Sequence, residues 1–392
     1  MNRNRHRVMA IFGTRPEAIK VAPVVHELAR SSEFEPIVVV TGQHREMLAQ
    51  VLELFEIEPH HDLELCRPNQ TLTSVTTGAL EGLTELLQAE RPDAVVVQGD
   101  TTTTFAGALA AFYQQIPVVH MEAGLRTGLR YSPFPEEINR CLTTRLASLH
   151  LAPTLGNKLN LIAENIEPDS IIVTGNTVID ALLDVGQRPG GYGDPALAGL
   201  DTDPRRVILV TAHRRESWGE GHAAIGRAVA EIAQTEPDVL VVFPLHRNPL
   251  VREQIEPAVA GLDNVRLVEP LAYQGLVKLM QRSHLILTDS GGIQEEGPSL
   301  AKPVLVTRDT TERPEAVAAG TVRLVGTDET QIVGAVRTLL HDPAQYAAMS
   351  NAVNPYGDGR AAERTVQAIA HLLAGAPRPE EFAPELDLVA AA

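Results

Sequence analysis

Three carboxylates in the first half of the chain stand where short apolar runs end or a helix begins. Asp100 follows Ala94–Gly99, Glu122 follows Pro117–Met121, and Glu136 opens an amphipathic stretch behind Pro133, Phe134 and Pro135. An acid at the C-terminal end of a strand is where an open α/β sheet places a catalytic or binding group. Carboxylates that converge push one another's proton affinities apart and can then divide acid and base roles. Each also has a structural reading. Asp100 suits a helix N-cap, and Glu136 with Glu137 suits dipole compensation in a first helical turn.

The second half carries a different chemistry. Thr211-Ala212-His213-Arg214-Arg215-Glu216 ends an apolar run, and a histidine beside two arginines at such a place suits a phosphate-rich ligand. Asp289-Ser290-Gly291-Gly292-Ile293-Gln294-Glu295-Glu296 directly follows Leu285–Thr288. Adjacent glycines let backbone N–H groups close around a phosphate, and the helix that starts there adds its dipole. Ser290 adds a hydroxyl, Glu296 is placed to accept from a ribose, and Arg313, in a loop with Arg308, Glu312 and Pro314, is a diphosphate clamp. Near the N-terminus, Gly13-Thr14-Arg15-Pro16-Glu17 with Lys20 reads as a further anion site at a helix N-terminus. It is neither a Gly-x-Gly-x-x-Gly fingerprint nor a Walker loop, so nicotinamide and ATP lose support. An ordinary βα turn with solvated charges is its plainer reading.

The elements that must hold these residues are legible from apolar runs. Val8–Phe12, Pro36–Val40, Ala94–Gln98, Pro117–Met121, His150–Ala152 and Ile171–Thr174 read as strands, with helix patterns at Pro16–Arg30, Thr73–Glu90, Thr102–Gln114 and Glu136–Ala147 among them. A second series runs through Arg206–Thr211, Val239–Pro244, Val265–Val268, Leu285–Thr288, Pro303–Val306 and Thr321–Val325, with helices at Gly221–Gln234, Gln274–Gln281 and Thr330–Leu340. Continuous Val/Ile-rich strands alternating with helices predict parallel sheets covered on both faces. The fold class is therefore α/β, as two doubly wound Rossmann-like domains facing across a cleft. The expected boundaries are residues 1–180 and 181–358, then a helix over 359–373 and a mobile, proline-bearing tail over 374–392. The Gly/Pro-rich stretch Asp184–Arg205 reads as a linker or irregular surface segment.

Composition narrows the function. With 392 residues and a formal net charge of −17, the chain lacks the basic footprint of a nucleic-acid binder, though an acidic protein can still carry a locally basic site. Two cysteines, Cys66 and Cys141, build neither a disulfide framework nor a zinc site alone, which fits a reducing, cytoplasmic setting. The apolar run behind Arg3, Arg5 and Arg7 is too short for a signal peptide, and no run approaches the ~18 apolar residues of a membrane span.

Taken together, these segments resemble the non-hydrolysing UDP-N-acetylglucosamine 2-epimerases from about Val8 to Leu373. The matching motifs include Gly13–Glu17 with Lys20, Thr41-Gly42-Gln43-His44, Gln98-Gly99-Asp100-Thr101 and Glu122-Ala123-Gly124-Leu125-Arg126. They continue through Phe134–Arg140, Gly175-Asn176-Thr177, His213–Glu216, Ser290-Gly291-Gly292 with Glu295-Glu296, and Arg313-Pro314-Glu315. The resemblance implies a glycosyltransferase-B type fold, a homodimer, no metal or nicotinamide, and reversible interconversion of UDP-GlcNAc and UDP-ManNAc by elimination and re-addition of UDP. It also implies a C-terminal helix that returns to the first domain. It places catalysis on Asp100, Glu122, Glu136 and His213. It places UDP or substrate binding on Arg15, Lys20, Arg140, Leu276, Ser290, Gly291, Gly292, Glu296 and Arg313. Leu276 stands where members often carry an aromatic residue near the uracil. Gln43, His44, Arg214, Glu216 and His246 fall where some members bind a second, activating UDP-GlcNAc, while Glu46 and Asn69 depart from the glutamine and arginine of strongly activated members. A glycosyltransferase of the same fold would share the glycine turn and the ribose acid, but has no need of three acids at C2.

Overall fold

The computed structural model describes residues 5–42, 45–65, 70–214 and 217–384. The chain divides into two compact units, one of Met1–Ala181 with Tyr356–Ala383 and one of Leu182–Pro355. In chain order the first runs β1 (His6–Phe12), α1 (Arg15–Arg30), β2 (Phe34–Val40), α2 (Arg45–Leu54), β3 (His61–Asp62), α3 (Leu72–Glu90), β4 (Ala94–Gln98) and α4 (Thr102–Tyr113). It continues through β5 (Val118–Met121), α5 (Glu136–Leu146), β6 (Leu149–Ala152), α6 (Leu155–Ala163), β7 (Ile171–Val173) and α7 (Thr177–Gln187), whose second half belongs to the second unit. The second runs β8 (Arg206–Thr211), α8 (Glu220–Thr235), β9 (Val239–Pro244), α9 (Pro249–Val259), β10 (Val265–Val268), α10 (Tyr273–Arg282) and β11 (Leu285–Thr288). Then come α11 (Gly291–Ser299), β12 (Val304–Val306), α12 (Pro314–Ala318), β13 (Val322–Leu324), α13 (Glu329–His341) and α14 (Pro343–Ser350); α15 (Ala361–Ala374) follows.

Both sheets are parallel and doubly wound. The first has the order β3-β2-β1-β4-β5-β6-β7 and the second β10-β9-β8-β11-β12-β13. Strand order reverses between β1 and β4, and again between β8 and β11. These switch points open a crevice outside the strand C-termini, where ligands of such sheets bind. The period of two along β1 sends Val8 to one face and Met9 and Ile11 to the other. Met9 and Ile11 pack with Leu83 and Leu87 of α3 and Ala106 and Ala110 of α4. Val8 packs with Val24 and Leu28 of α1 and with Val366 and Ile369 of α15. The last helix thus completes a face that α1 covers only in part. Its first turn is held by Asp180 on α7, whose carboxylate accepts from the N–H groups of Ala361 (3.2 Å) and Ala362 (2.8 Å).

One expectation needs correction. Residues 375–384 are not a mobile tail. Arg378 donates to the carbonyls of Asp169 (2.6 Å) and Ile171, Phe382 N–H donates to the Val173 carbonyl (2.8 Å), and Glu381 pairs with Lys158 (2.8 Å). The segment thereby covers the edge strand β7, which otherwise presents unpaired backbone; residues 385–392 lie outside the described residues. The stretch Asp184–Arg205 begins as the end of α7, and its irregular remainder is fastened to α10. Gln274, Lys278 and Arg282 donate to the carbonyls of Pro189, Gly190 and Leu200. Gly275 permits that approach, because a Cβ there would run into the Tyr192 carbonyl oxygen. Among the described residues, no helix is long and apolar enough to cross a membrane.

Candidate active site

In the first unit, the turns after β1, β4 and β5 gather charged side chains of both signs. Asp100 leaves β4 and receives Arg140 Nη2 at 2.5 Å, while Asn139 holds its backbone carbonyl at 3.0 Å. Glu122 leaves β5 in the left-handed region (φ 59°). It is ion-paired with Lys20, receives Gln98 Nε2 at 2.5 Å, and receives Asn176 Nδ2 at 3.2 Å. Burial raises the proton affinity of Asp100. Arg140 and Lys20 oppose that, whereas Glu122 and Glu136 act with it. The structure therefore sets Asp100, Glu122 and Glu136 in one electrostatic neighbourhood, with Lys20 and Arg140 as its cations. Asp100 is thus a carboxyl pushed toward its protonated form beside Glu122, which accepts from three donors.

Adjacent Glu136 and Glu137 separate in role. Glu137 is buried and accepts from the N–H groups of Thr127 (3.1 Å) and Gly128 (3.0 Å), so it builds the loop after β5. Glu136, half-buried at the start of α5, is the one that bears on Asp100.

The expected backbone anion site after β1 does not form. Glu17, three residues past the Thr14 N-cap, turns back and accepts from Gly13 N–H (3.1 Å) and Thr14 N–H (2.7 Å), and also from Thr101 Oγ1 (2.6 Å). The helix start is filled by its own capping box. Arg15 stays half-buried at the first position of α1.

In the second unit the equivalent turns are basic. Gly291 opens α11, and a Cβ on it would lie 3.4 Å from Arg214 Nη2 and 3.4 Å from Arg313 Cζ, so two guanidinium groups flank this helix start. Arg313 is oriented by Glu295 (Nε to Oε1, 2.8 Å). Ser290 N–H bonds to Thr288 Oγ1 at 3.0 Å, and Gln294 donates to the Ser290 carbonyl at 3.1 Å, which fixes the turn. Gly292 follows within it. Glu296 is buried on α11 and accepts from Tyr273 Oη at 2.8 Å, and Leu276 is half-buried on α10 one turn along from Tyr273. Arg308 and Glu312 pair in two contacts (2.9 and 3.2 Å), which, against burial, hold the Glu312 carboxyl down to about 2. A helix N-terminus ringed by arginines is a site for a diphosphate.

His213 lies after β8, its ring 6.2 Å from that of His246, and Asp289 sits under it. Gln43, His44 and Glu216 lie outside the described residues. Five residues with direct roles in these arrangements were absent from the sequence-based site: Gln98, Asn176 and Asn139 around the acids, Tyr273 behind Glu296, and Asp289 behind His213. Gln98, Asn139, Asn176 and Asp289 do stand within motifs quoted above. Thr14-x-x-Glu17 was itself a capping-box spacing that foretold the filled turn. No group of His, Cys, Asp or Glu among the described residues is arranged to hold a metal ion.

Comparison with known proteins gives the family. The family model described as UDP-N-acetylglucosamine 2-epimerase matches residues 26–370. A UDP-N-acetylglucosamine 2-epimerase of Escherichia coli is 55% identical over 369 residues, covering 93% of this chain and 98% of that protein. The crystal structure of UDP-GlcNAc 2-epimerase from Neisseria meningitidis bound to UDP-GlcNAc superimposes with a TM-score of 0.85 at 51% identity, covering 93% and 99% of the two chains. The Methanocaldococcus jannaschii UDP-GlcNAc 2-epimerase in complex with UDP-GlcNAc and UDP gives a TM-score of 0.76 at 32% identity, covering 93% and 99%. The chain belongs to the UDP-N-acetylglucosamine 2-epimerase family of isomerases.

Proposed function

We propose that this protein interconverts UDP-GlcNAc and UDP-ManNAc by the non-hydrolysing route. The second unit takes the nucleotide. The α11 start with Ser290, Gly291 and Gly292, flanked by Arg214 and Arg313, receives the diphosphate, Glu296 the ribose, and the Leu276 side of α10 the base. The first unit supplies Asp100, Glu122 and Glu136 for proton transfer, with Lys20 and Arg140 beside them and Arg15 toward the UDP, and His213 acts close to the reacting groups.

The sugar's C2 proton is not acidic, so direct inversion is slow. Elimination avoids the difficulty. The proton leaves C2 to a carboxylate, its electron pair forms the C1=C2 bond, and the C1–O pair departs with UDP, leaving 2-acetamidoglucal. UDP then adds back to C1 as a proton arrives on the opposite face of C2. Positioned carboxylates and cations on the leaving group are what such steps require. The observation that carries this reading is the cluster of Asp100 on Arg140 and Glu122 on Lys20, Gln98 and Asn176 at the strand ends beside the β1/β4 switch point. The product would supply ManNAc units for cell-surface polysaccharide synthesis from the cytoplasm. A homodimer is part of the same reading, and the open groove bearing Phe112, Tyr113, Ile116 and Leu146 offers apolar surface for a second copy, which equilibrium sedimentation would report.

Incubation with UDP-GlcNAc in deuterated water, followed by NMR, tests the chemistry. Deuterium at C2 and an approach to a mixture of two UDP-sugars are expected. Accumulation of free ManNAc and UDP would establish hydrolysis instead, and retention of the C2 proton would reject epimerisation.

A further inference from the structure

Asp289 is the last residue before the phosphate turn, and its side chain points away from that turn toward the neighbouring strand end. β8 and β11 lie side by side, with Thr211 in register with Thr288 and their hydroxyls 2.6 Å apart. That register sets Asp289, fully buried, beneath His213. One carboxylate oxygen accepts from the backbone N–H groups of His213 and Arg214, each at 2.7 Å. The other lies 2.8 Å from His213 Nδ1. The same carboxylate therefore binds the main chain of His213 through one oxygen and lies at ion-pair distance from its ring through the other. Burial works against its charge, but the His213 ring and the two backbone donors outweigh it and keep the carboxyl below its usual range.

The other imidazoles here are placed differently. His246, after β9, stacks beside His213, and His222, on α8, is fully buried; burial depresses the proton affinity of both. His213 is the ring that reaches the carboxylate while 42% of its side chain remains exposed.

We propose that Asp289 is the positioning residue of His213, fixing the imidazole as the Nδ1–H tautomer and presenting Nε2 as the working nitrogen toward the sugar nucleotide. A buried carboxylate on Nδ1 is a general means of setting ring orientation and tautomer, and it explains why the Asp289-Ser290-Gly291-Gly292 segment begins with an acid beside an anion site. The acid serves the histidine, and the glycines serve the phosphate. This inference rests on His213 acting in the reaction proposed above.

Long-range ¹H–¹⁵N correlation spectra of the histidine-labelled, full-length protein test it, with the His213 signals assigned by their loss in His213→Gln. The wild-type ring is expected as the Nδ1–H form, and Asp289→Asn, whose amide N–H₂ would donate to Nδ1, is expected to convert it to Nε2–H. Turnover should fall ~10²-fold or more in Asp289→Asn, as wrong-tautomer variants of buried Asp–His pairs do, with KM and UDP affinity changed by less than about threefold. A wild-type ring found as Nε2–H, or an Asp289→Asn protein with unchanged kcat, would overturn the assignment. Should Asp289→Asn not fold, the wild-type tautomer decides alone. Absence of C2 exchange in the wild type would refute the epimerase reading, while the tautomer would still report on the pairing.

Discussion

The helix starts of α1 and α11 both lie beside the switch point of their own sheet, one after β1 and the other after β11, and they have opposite fates. At α1 the third helical residue is Glu17, which folds back and fills the backbone N–H groups of Gly13 and Thr14. At α11 the third residue is Ile293, which has no acceptor to offer, and glycines at the first two positions bring Arg214 and Arg313 close. The same doubly wound frame thus makes a closed cap in one unit and a basic anion cradle in the other. One side chain at one helical position decides which. The acids then collect where the backbone site is closed, and the arginines where it is open.

This division predicts that variants of the two units separate in kinetics. The largest effect is expected from the acids: Asp100→Asn, Glu122→Gln and Glu136→Gln should each lower turnover by ~10²-fold or more, as loss of a proton-transfer group does. UDP affinity measured by calorimetry should stay within about threefold. Arg313→Ala should do the reverse and weaken UDP binding by ~10-fold or more, the scale of a lost charge-assisted contact. Equal losses of turnover and UDP affinity in both groups would break the comparison.

Acidification tests the packing behind the acids. His120 and His150 are paired neighbours on β5 and β6, and burial pushes their proton affinities down to about 4 and about 3. In the unfolded chain both titrate near pH 6.5. Between pH 6.5 and 4 the unfolded state therefore binds more protons, so stability is full above that window and falls as pH drops through it. Chemical denaturation should show a loss of ~2 kcal/mol or more between pH 7 and 5, given ~1.4 kcal/mol per unit of displacement. His120→Gln should flatten the slope.

Glu17→Ala, which leaves buried N–H groups without their acceptor, should cost about 1–3 kcal/mol in the same assay. UDP affinity should change little, because the proposed diphosphate site lies at the start of α11. The smallest effect is expected at the sheet edge, where Arg378→Ala removes bonds to carbonyls of the β7 side and should cost about 1 kcal/mol.

The strands were legible because each is a run of Val, Ile and Leu, and the acids were legible because they sit where those runs stop. Other features were hidden for physical reasons. Two-residue β3 has no pattern to read. Arg378 and Phe382 bond to residues some two hundred positions earlier in the chain, so their prolines and acids read as a tail. Asp289 and His213 stand 76 positions apart and meet only because β8 and β11 are neighbours, an adjacency that apolar patterning does not reveal. Asn176, within a quoted Gly-Asn-Thr motif, gave no sign that its amide reaches Glu122.

The return of α15 onto the first sheet has a consequence for biosynthesis. The first unit is translated early, but its outer layer lies more than 170 residues downstream. A ribosome that has released residues 1–181 therefore presents a sheet face covered by α1 but still lacking Val366, Ile369 and their neighbours on α15. The surface they cover stays exposed until nearly the entire polypeptide has emerged, so the nascent first unit matures last although it is made first. During that interval it is the part of the molecule most in need of a chaperone.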